Sequence, residues 1–96
     1  MKNQFIKYFL YIGSNNKTHK LEIDKIYTVV SEYFDGFTAY EVIGFWKAKQ
    51  EKTLKVEIVA DKNSDIIIAK LCKELKVKLK QDSILLEKVA SNILFI

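Results

Sequence analysis

The chain has no proline and no arginine, one cysteine (Cys72), one histidine (His19), one tryptophan (Trp46) and only three glycines. Each scarcity excludes something. One cysteine and one histidine cannot build an internal disulfide framework or a Cys/His metal cluster, so no metal site is expected. Cys72 falls at an apolar helical position and reads as a small core residue. All sixteen basic residues are lysine. Bidentate contacts to guanine and phosphate are chiefly arginine's work, which argues against nucleic acid as a partner. The lysines are also interspersed with twelve acids, leaving a net charge of +4 that is not gathered into a stripe. No apolar run approaches the length that spans a bilayer. Met1-Lys2-Asn3-Gln4 leads into a strand-like segment without the small-residue cleavage site of a signal peptide. The expectation is a cytoplasmic protein with no membrane partner.

What is present suits one small globular domain covering residues 1–96. Residues classed as hydrophobic make up 49% of the chain, enough to fold without staples. Phe5–Ile12 is too short for a core helix and is rich in aromatic and β-branched residues, which predicts a strand; seven apolar residues in eight predict burial on both its faces. Gly13-Ser14-Asn15-Asn16 is a break. Ile23, Ile26, Tyr27, Val30 and Phe34 then fall on one helical face, with Thr18 as N-cap, His19 a solvated residue at the helix start, and Asp35-Gly36 as a left-handed stop. Phe37–Lys47 alternates, with Phe37, Ala39, Glu41, Ile43 and Phe45 on one face and Thr38, Tyr40, Val42, Gly44 and Trp46 on the other.

Thr53–Ala60 is the third strand, with Leu54, Val56, Ile58 and Ala60 inward. After Asp61-Lys62-Asn63-Ser64, a second helix capped by Ser64 or Asn63 buries Ile68, Leu71, Cys72, Leu75 and Leu79. Ser83–Val89 is a fourth strand, Ala90-Ser91-Asn92 a turn, and Ile93–Ile96 a short extra C-terminal strand. The order predicts an α+β, ferredoxin-like βαββαβ fold: a four-stranded antiparallel sheet with two helices on one face. The sheet strands stay apolar on the second face too, which calls for other copies of the chain to cover it, most simply in a homotrimer.

The stretch Gly44–Thr53 stands apart. It holds the only Trp, three lysines and a carboxylate between two apolar runs, and it lacks a turn residue after Gly44. A connecting hairpin would favour Asn, Asp or Gly at its tip. Gly44 inside a strand marks a bulge or a close approach by a ligand or another backbone. An indole beside fixed charges suits a flat polar ligand, whereas an edge hairpin with solubilising lysines and a covering Trp is the plainer alternative. Trp46 lies on the side away from the helices if Ile43 and Phe45 enter the core.

Three stretches in this order, Gly44-Phe45-Trp46-Lys47-Ala48, Glu51-Lys52-Thr53 opening a strand, and Gln81-Asp82-Ser83-Ile84-Leu85-Leu86 after the second helix, resemble the PII-like proteins. These are small ferredoxin-like subunits that form trimers and bind adenosine-containing ligands in clefts between subunits. More narrowly, the chain resembles the phage-encoded S-adenosylmethionine lyases. The motifs cover residues 37–96; residues 1–36 match in element order alone. The resemblance implies that Glu51 is the catalytic carboxylate and that Trp46 stands where the lyases carry a tyrosine, after a Gly and before a longer loop. That replacement removes a phenol hydrogen bond.

The implied reaction is an internal displacement. The substrate's own carboxylate attacks its γ-carbon and expels methylthioadenosine, leaving homoserine lactone, with no cofactor or metal. Opposite charges are lost on the way to the transition state, so a water-poor cleft and a folded substrate would supply most of the acceleration. Glu51 would anchor the substrate's ammonium or accept from its ribose; otherwise it is a surface acid beside Lys49 or Lys52. The alternative from another class is a non-catalytic protein of phage origin that binds or sequesters an adenine nucleotide, with Trp46 stacked on the base and Lys47, Lys49 or Lys52 on phosphates. A third is a structural trimer without a small ligand.

Overall fold

The computed structural model describes residues 4–96, in which β1 (Gln4–Ile12), α1 (Ile23–Tyr33), β2 (Thr38–Trp46), β3 (Lys49–Ala60), α2 (Asp65–Leu79) and β4 (Leu85–Asn92) follow one another. The sheet order is β2-β3-β1-β4, and every neighbouring pair is antiparallel. This is the expected ferredoxin-like arrangement, with β1 and β3 in the middle. The central position of β1 accounts for its nearly continuous apolar sequence. Tyr8, Leu10 and Ile12 face the helices and are fully buried, while Phe9 and Tyr11 on the other face are half-buried by their neighbours alone. Leu54, Val56 and Ile58 of β3 join the first set, and Ile26, Val29, Val30, Ile68, Leu71, Leu75 and Leu79 close the core from the helices.

Several boundaries depart from expectation. Helix α1 begins at Ile23, so Thr18 is not its N-cap; Glu22 holds that position. The reason is Asn15, whose side-chain oxygen accepts from the amides of Lys17 and Thr18 and whose amide donates to Glu22 at 2.6 Å. This local network offers the backbone an alternative to helix over residues 15–20, and His19 sits within it at φ 59°. Gly36 is not a left-handed stop. The chain leaves the helix through Phe34 in an extended conformation. Tyr27, expected on the core face of α1, is 38% exposed, and Cys72 is half-buried, with its thiol pKa raised by that burial. The turn expected at Ala90-Ser91-Asn92 is instead the end of β4, because Ile6, Phe5 and Gln4 stand opposite these residues. The short extra strand at Ile93–Ile96 does not form. β4 is already paired to Gln4, the first described residue of β1, and Phe95 meets Phe5 edge-on, ring centres 5.6 Å apart.

The start of α2 is tied to the core by a tyrosine. Tyr8 is fully buried, yet its hydroxyl accepts from the Ser64 amide at 2.9 Å and donates to Asp65 at 2.7 Å. That hydrogen bond, then Lys88, holds the Asp65 carboxyl below its usual range. The Asn63 side chain accepts from the Asp65 amide, so the capping role falls to Asn63 and Tyr8, and Ser64 makes no side-chain cap bond. Tyr8→Phe should leave the buried Ser64 amide without a partner, at a cost of about 1–3 kcal/mol in urea denaturation.

Candidate functional site

Strand β1 pairs with β3 only as far as Ile12 opposite Leu54, whereas β2 and β3 stay paired out to Trp46 opposite Lys49. Residues 42–53 are therefore a two-stranded arm beyond the three-stranded part of the sheet. The five-residue loop expected between Lys47 and Thr53 does not exist: β3 starts at Lys49, four residues before Thr53, and Lys47 and Ala48 alone make the turn. Both have positive φ, 50° and 60°, as a type I′ hairpin demands. For non-glycine residues this costs on the order of 1–2 kcal/mol each. Replacing Lys47-Ala48 by Asn-Gly should raise stability by about 1–2 kcal/mol, read as a higher urea midpoint at unchanged slope.

Alternation assigns the arm's side chains as the sequence predicts, but Ile43 and Phe45 do not enter the core. They are 60% and 72% exposed on the helix side of the sheet, and Trp46 is 70% exposed on the open side. Each surface of the arm thus carries large apolar side chains left uncovered in a single chain.

On the open side Gly44 lies directly opposite Glu51, and Trp46 is one same-face position further out. A side chain at Gly44 would press on the Thr53 hydroxyl, so its absence keeps the floor low beside Glu51. The result is a groove of about 960 Å³ running from Trp46 and Glu51 to Tyr11, Tyr40 and Lys55, walled along one side by Gln81–Leu85. A smaller hollow of about 490 Å³ lies against Asn15, Lys49 and Lys52, and Trp46, Glu51 and Asn16 border both. Of the residues singled out from sequence, Trp46, Gly44 and Glu51 therefore share one groove, and Lys49 and Lys52 flank the smaller hollow. Lys47 sits in the turn and lines neither.

Glu51 is held rather than loose. Its Oε1 accepts from the Ser14 amide at 2.9 Å, and its carboxylate lies where a side chain on Gly13 would be. Ser14 is fixed in turn: its hydroxyl donates to the Lys52 carbonyl at 3.1 Å, and its carbonyl accepts from the Gln81 side chain. Two segments distant in sequence, 13–16 and the α2–β4 link, thus orient the carboxylate. In the sequence residues 13–16 read as a break, and the signal of their role is a Gly-Ser-Asn run closing a central strand.

Lys55, which no sequence motif marks, has its ammonium 4.7 Å from the centre of Phe9, 5.3 Å from Tyr11 and 5.6 Å from Tyr40. The phenol oxygens of Tyr40, then Tyr11, raise its pKa above the ordinary lysine value.

Gly13→Ala isolates the orientation of Glu51. Gly13 does not use a left-handed backbone, and the clashing atoms are the end of a flexible side chain. The carboxylate should move off the Ser14 amide, which would then exchange its hydrogen faster, while global stability changes by less than about 1 kcal/mol.

No protein-family model matches the sequence, and no curated protein matches it. Solved structures do share its fold. A phage S-adenosylmethionine lyase in the apo state superposes with a TM-score of 0.66 at 14% identity, over 97% of this chain and 86% of that one. A DUF3240 family protein from Shewanella baltica OS155 gives 0.64 at 18% identity over the full length of both. Bacillus subtilis GlnK, solved as its ATP complex, gives 0.56 at 20% identity, over 93% of this chain and 84% of that one. At these identities the likeness establishes the fold, which is PII-like and ferredoxin-like. Among the described residues no helix is long and apolar enough to cross a membrane.

Proposed function

We propose that the chain is a PII-like trimer subunit that binds an adenosine-containing ligand in the groove beside Trp46, completed by a neighbouring copy. The observation that carries this reading is the oriented carboxylate of Glu51, one position from an exposed indole on the floor that Gly44 keeps open. An indole face binds an adenine ring by stacking, worth about 1–3 kcal/mol. The uncovered aromatic and aliphatic side chains of the open face favour burial by a second copy. In a closed trimer the groove would become an inter-subunit cleft with less water.

Glu51 favours a cationic ligand over an anionic one, which points to S-adenosylmethionine. Cleavage to methylthioadenosine and homoserine lactone then follows as the catalytic form of the reading. The substrate's carboxylate oxygen forms the bond to its γ-carbon as the carbon–sulfur bond breaks, and the electron pair leaves with the sulfur as a neutral thioether. No proton need move in that step. Glu51, accepting from the ammonium or a ribose hydroxyl, would contribute by placing the substrate. The competing reading is an adenine-nucleotide binder without catalysis. Lys49 and Lys52 favour it, since they flank Trp46 on the smaller hollow where a phosphate would be neutralised.

Light scattering should give a mass three times the 11.2 kDa of one chain; a stable monomer at micromolar concentration argues against an inter-subunit cleft. By calorimetry, Trp46→Ala should weaken S-adenosylmethionine and ATP alike by about tenfold or more. Glu51→Gln should weaken S-adenosylmethionine by about tenfold and leave ATP equal or tighter. Release of methylthioadenosine by the wild type separates lyase from binder. If neither compound binds at millimolar concentration, the trimer is structural.

A further inference from the structure

A lysine on an open strand ordinarily extends its ammonium into water. Lys55 lies instead against three aromatic rings at the middle of the open face, directly opposite Tyr11 on β1 and Tyr40 on β2. Besides Glu51, held by the Ser14 amide, two carboxylates share that face, and both have tyrosine partners. Glu57 accepts from the Tyr40 hydroxyl at 2.9 Å and Glu87 from the Tyr11 hydroxyl at 3.5 Å. Among the described residues Lys55 forms no salt bridge. Ring faces attract the cation and fix its position, and no carboxylate among the described residues pairs with it, so its charge is left over for an anion.

Lys55, Tyr11 and Tyr40 line the same groove as Trp46 and Glu51. Glu51 and Lys55 are four residues apart on one face of β3, about 13 Å at ordinary strand rise. The groove thus has an indole and a carboxylate toward one end and a ring-held cation toward the other. A nucleoside lying at the first end would send a substituent of its ribose along the strand to the second.

We propose that Lys55, positioned by Phe9, Tyr11 and Tyr40, is an anion-recognition point that selects adenosine compounds with an anionic tail. This assignment rests on the adenosine reading above and adds a specificity determinant to it. The anion is either a phosphate chain or the carboxylate of an amino-acid substituent. Burial of the open face against another copy would strengthen the selection, since a desolvated ammonium needs a counter-charge more than a wet one does.

Lys55→Met keeps the apolar stem and removes the charge, and Lys55→Arg keeps the charge. Adenosine, ATP and S-adenosylmethionine are titrated calorimetrically into wild type and both variants. Lys55→Met should lose tenfold or more in affinity for ATP, for S-adenosylmethionine or for both, with adenosine unchanged within about twofold. Lys55→Arg should stay close to wild type. A loss confined to ATP identifies phosphate as the anion, and one confined to S-adenosylmethionine identifies the carboxylate. Unchanged affinities for both in Lys55→Met, or a matching loss for adenosine, overturn the assignment and leave the adenosine reading standing. A wild type that binds none of the three overturns both.

Discussion

The point where β1 stops governs the rest of the molecule. β3 has twelve residues and β1 nine, and their pairing ends at Ile12 opposite Leu54, so the outer part of the β2–β3 hairpin has no third strand beside it. A two-stranded ribbon in water is marginal on its own. This one carries exposed Ile43 and Phe45 on one surface and Trp46 on the other, with a strained turn at its tip. Its own sequence therefore does little to hold it, and contacts at its base acquire corresponding weight. The Ser14 amide on Glu51 and the Ser14 hydroxyl on the Lys52 carbonyl are those contacts. They clamp the first two same-strand residues beyond Thr53 to the chain as it leaves β1.

The same clamp decides the electrostatics of the groove. Without it, Glu51 would be one more solvated acid on a lysine-rich hairpin. With it, a negative charge is held beside an aromatic wall, and the exposed Lys49 and Lys52 border the smaller hollow, on the Asn15 side of Glu51. The cation inside the larger groove is Lys55, held down by rings. Charge separation along one strand, set by four residues of β3, gives the groove a direction that net charge alone could not reveal.

Element order, helix count and most core positions were legible in the sequence because they rest on local periodicity. Ile68, Leu71, Leu75 and Leu79 repeat at helical spacing and are buried, and Leu54, Val56 and Ile58 alternate and are buried. The boundaries failed where a side chain competes with the backbone. Asn15 organises residues 15–20 into a loop that helix periodicity alone cannot anticipate. The hairpin failed for the opposite reason. Lys-Ala is a poor type I′ pair, so turn chemistry argued for a five-residue loop from Ala48 to Lys52, while pairing out to Trp46 and Lys49 overrode it. Trp46 and Glu51 could be picked out from sequence by residue type and proximity. Ser14, Tyr11 and Lys55 could not, and Gln81 stood out only as part of a motif, because their part in the groove depends on register between segments 37 to 67 residues apart or on lateral neighbours in the sheet.

The strained turn also bears on how the groove is kept. Two non-glycine residues in the left-handed region persist only where surrounding structure over-determines them. In a single chain the arm's pairing and the Ser14 clamp supply part of that constraint, and the exposed apolar surfaces on both sides of the arm supply none. Packing against a second copy would change this, burying Trp46's side of the arm and converting a marginal ribbon into a wall. Ligand binding and assembly would then be coupled through one element, because a molecule stacked on Trp46 rigidifies the same residues that the neighbouring copy must find ordered. Each event would lower the ordering cost of the other, a positive coupling that requires no change of shape.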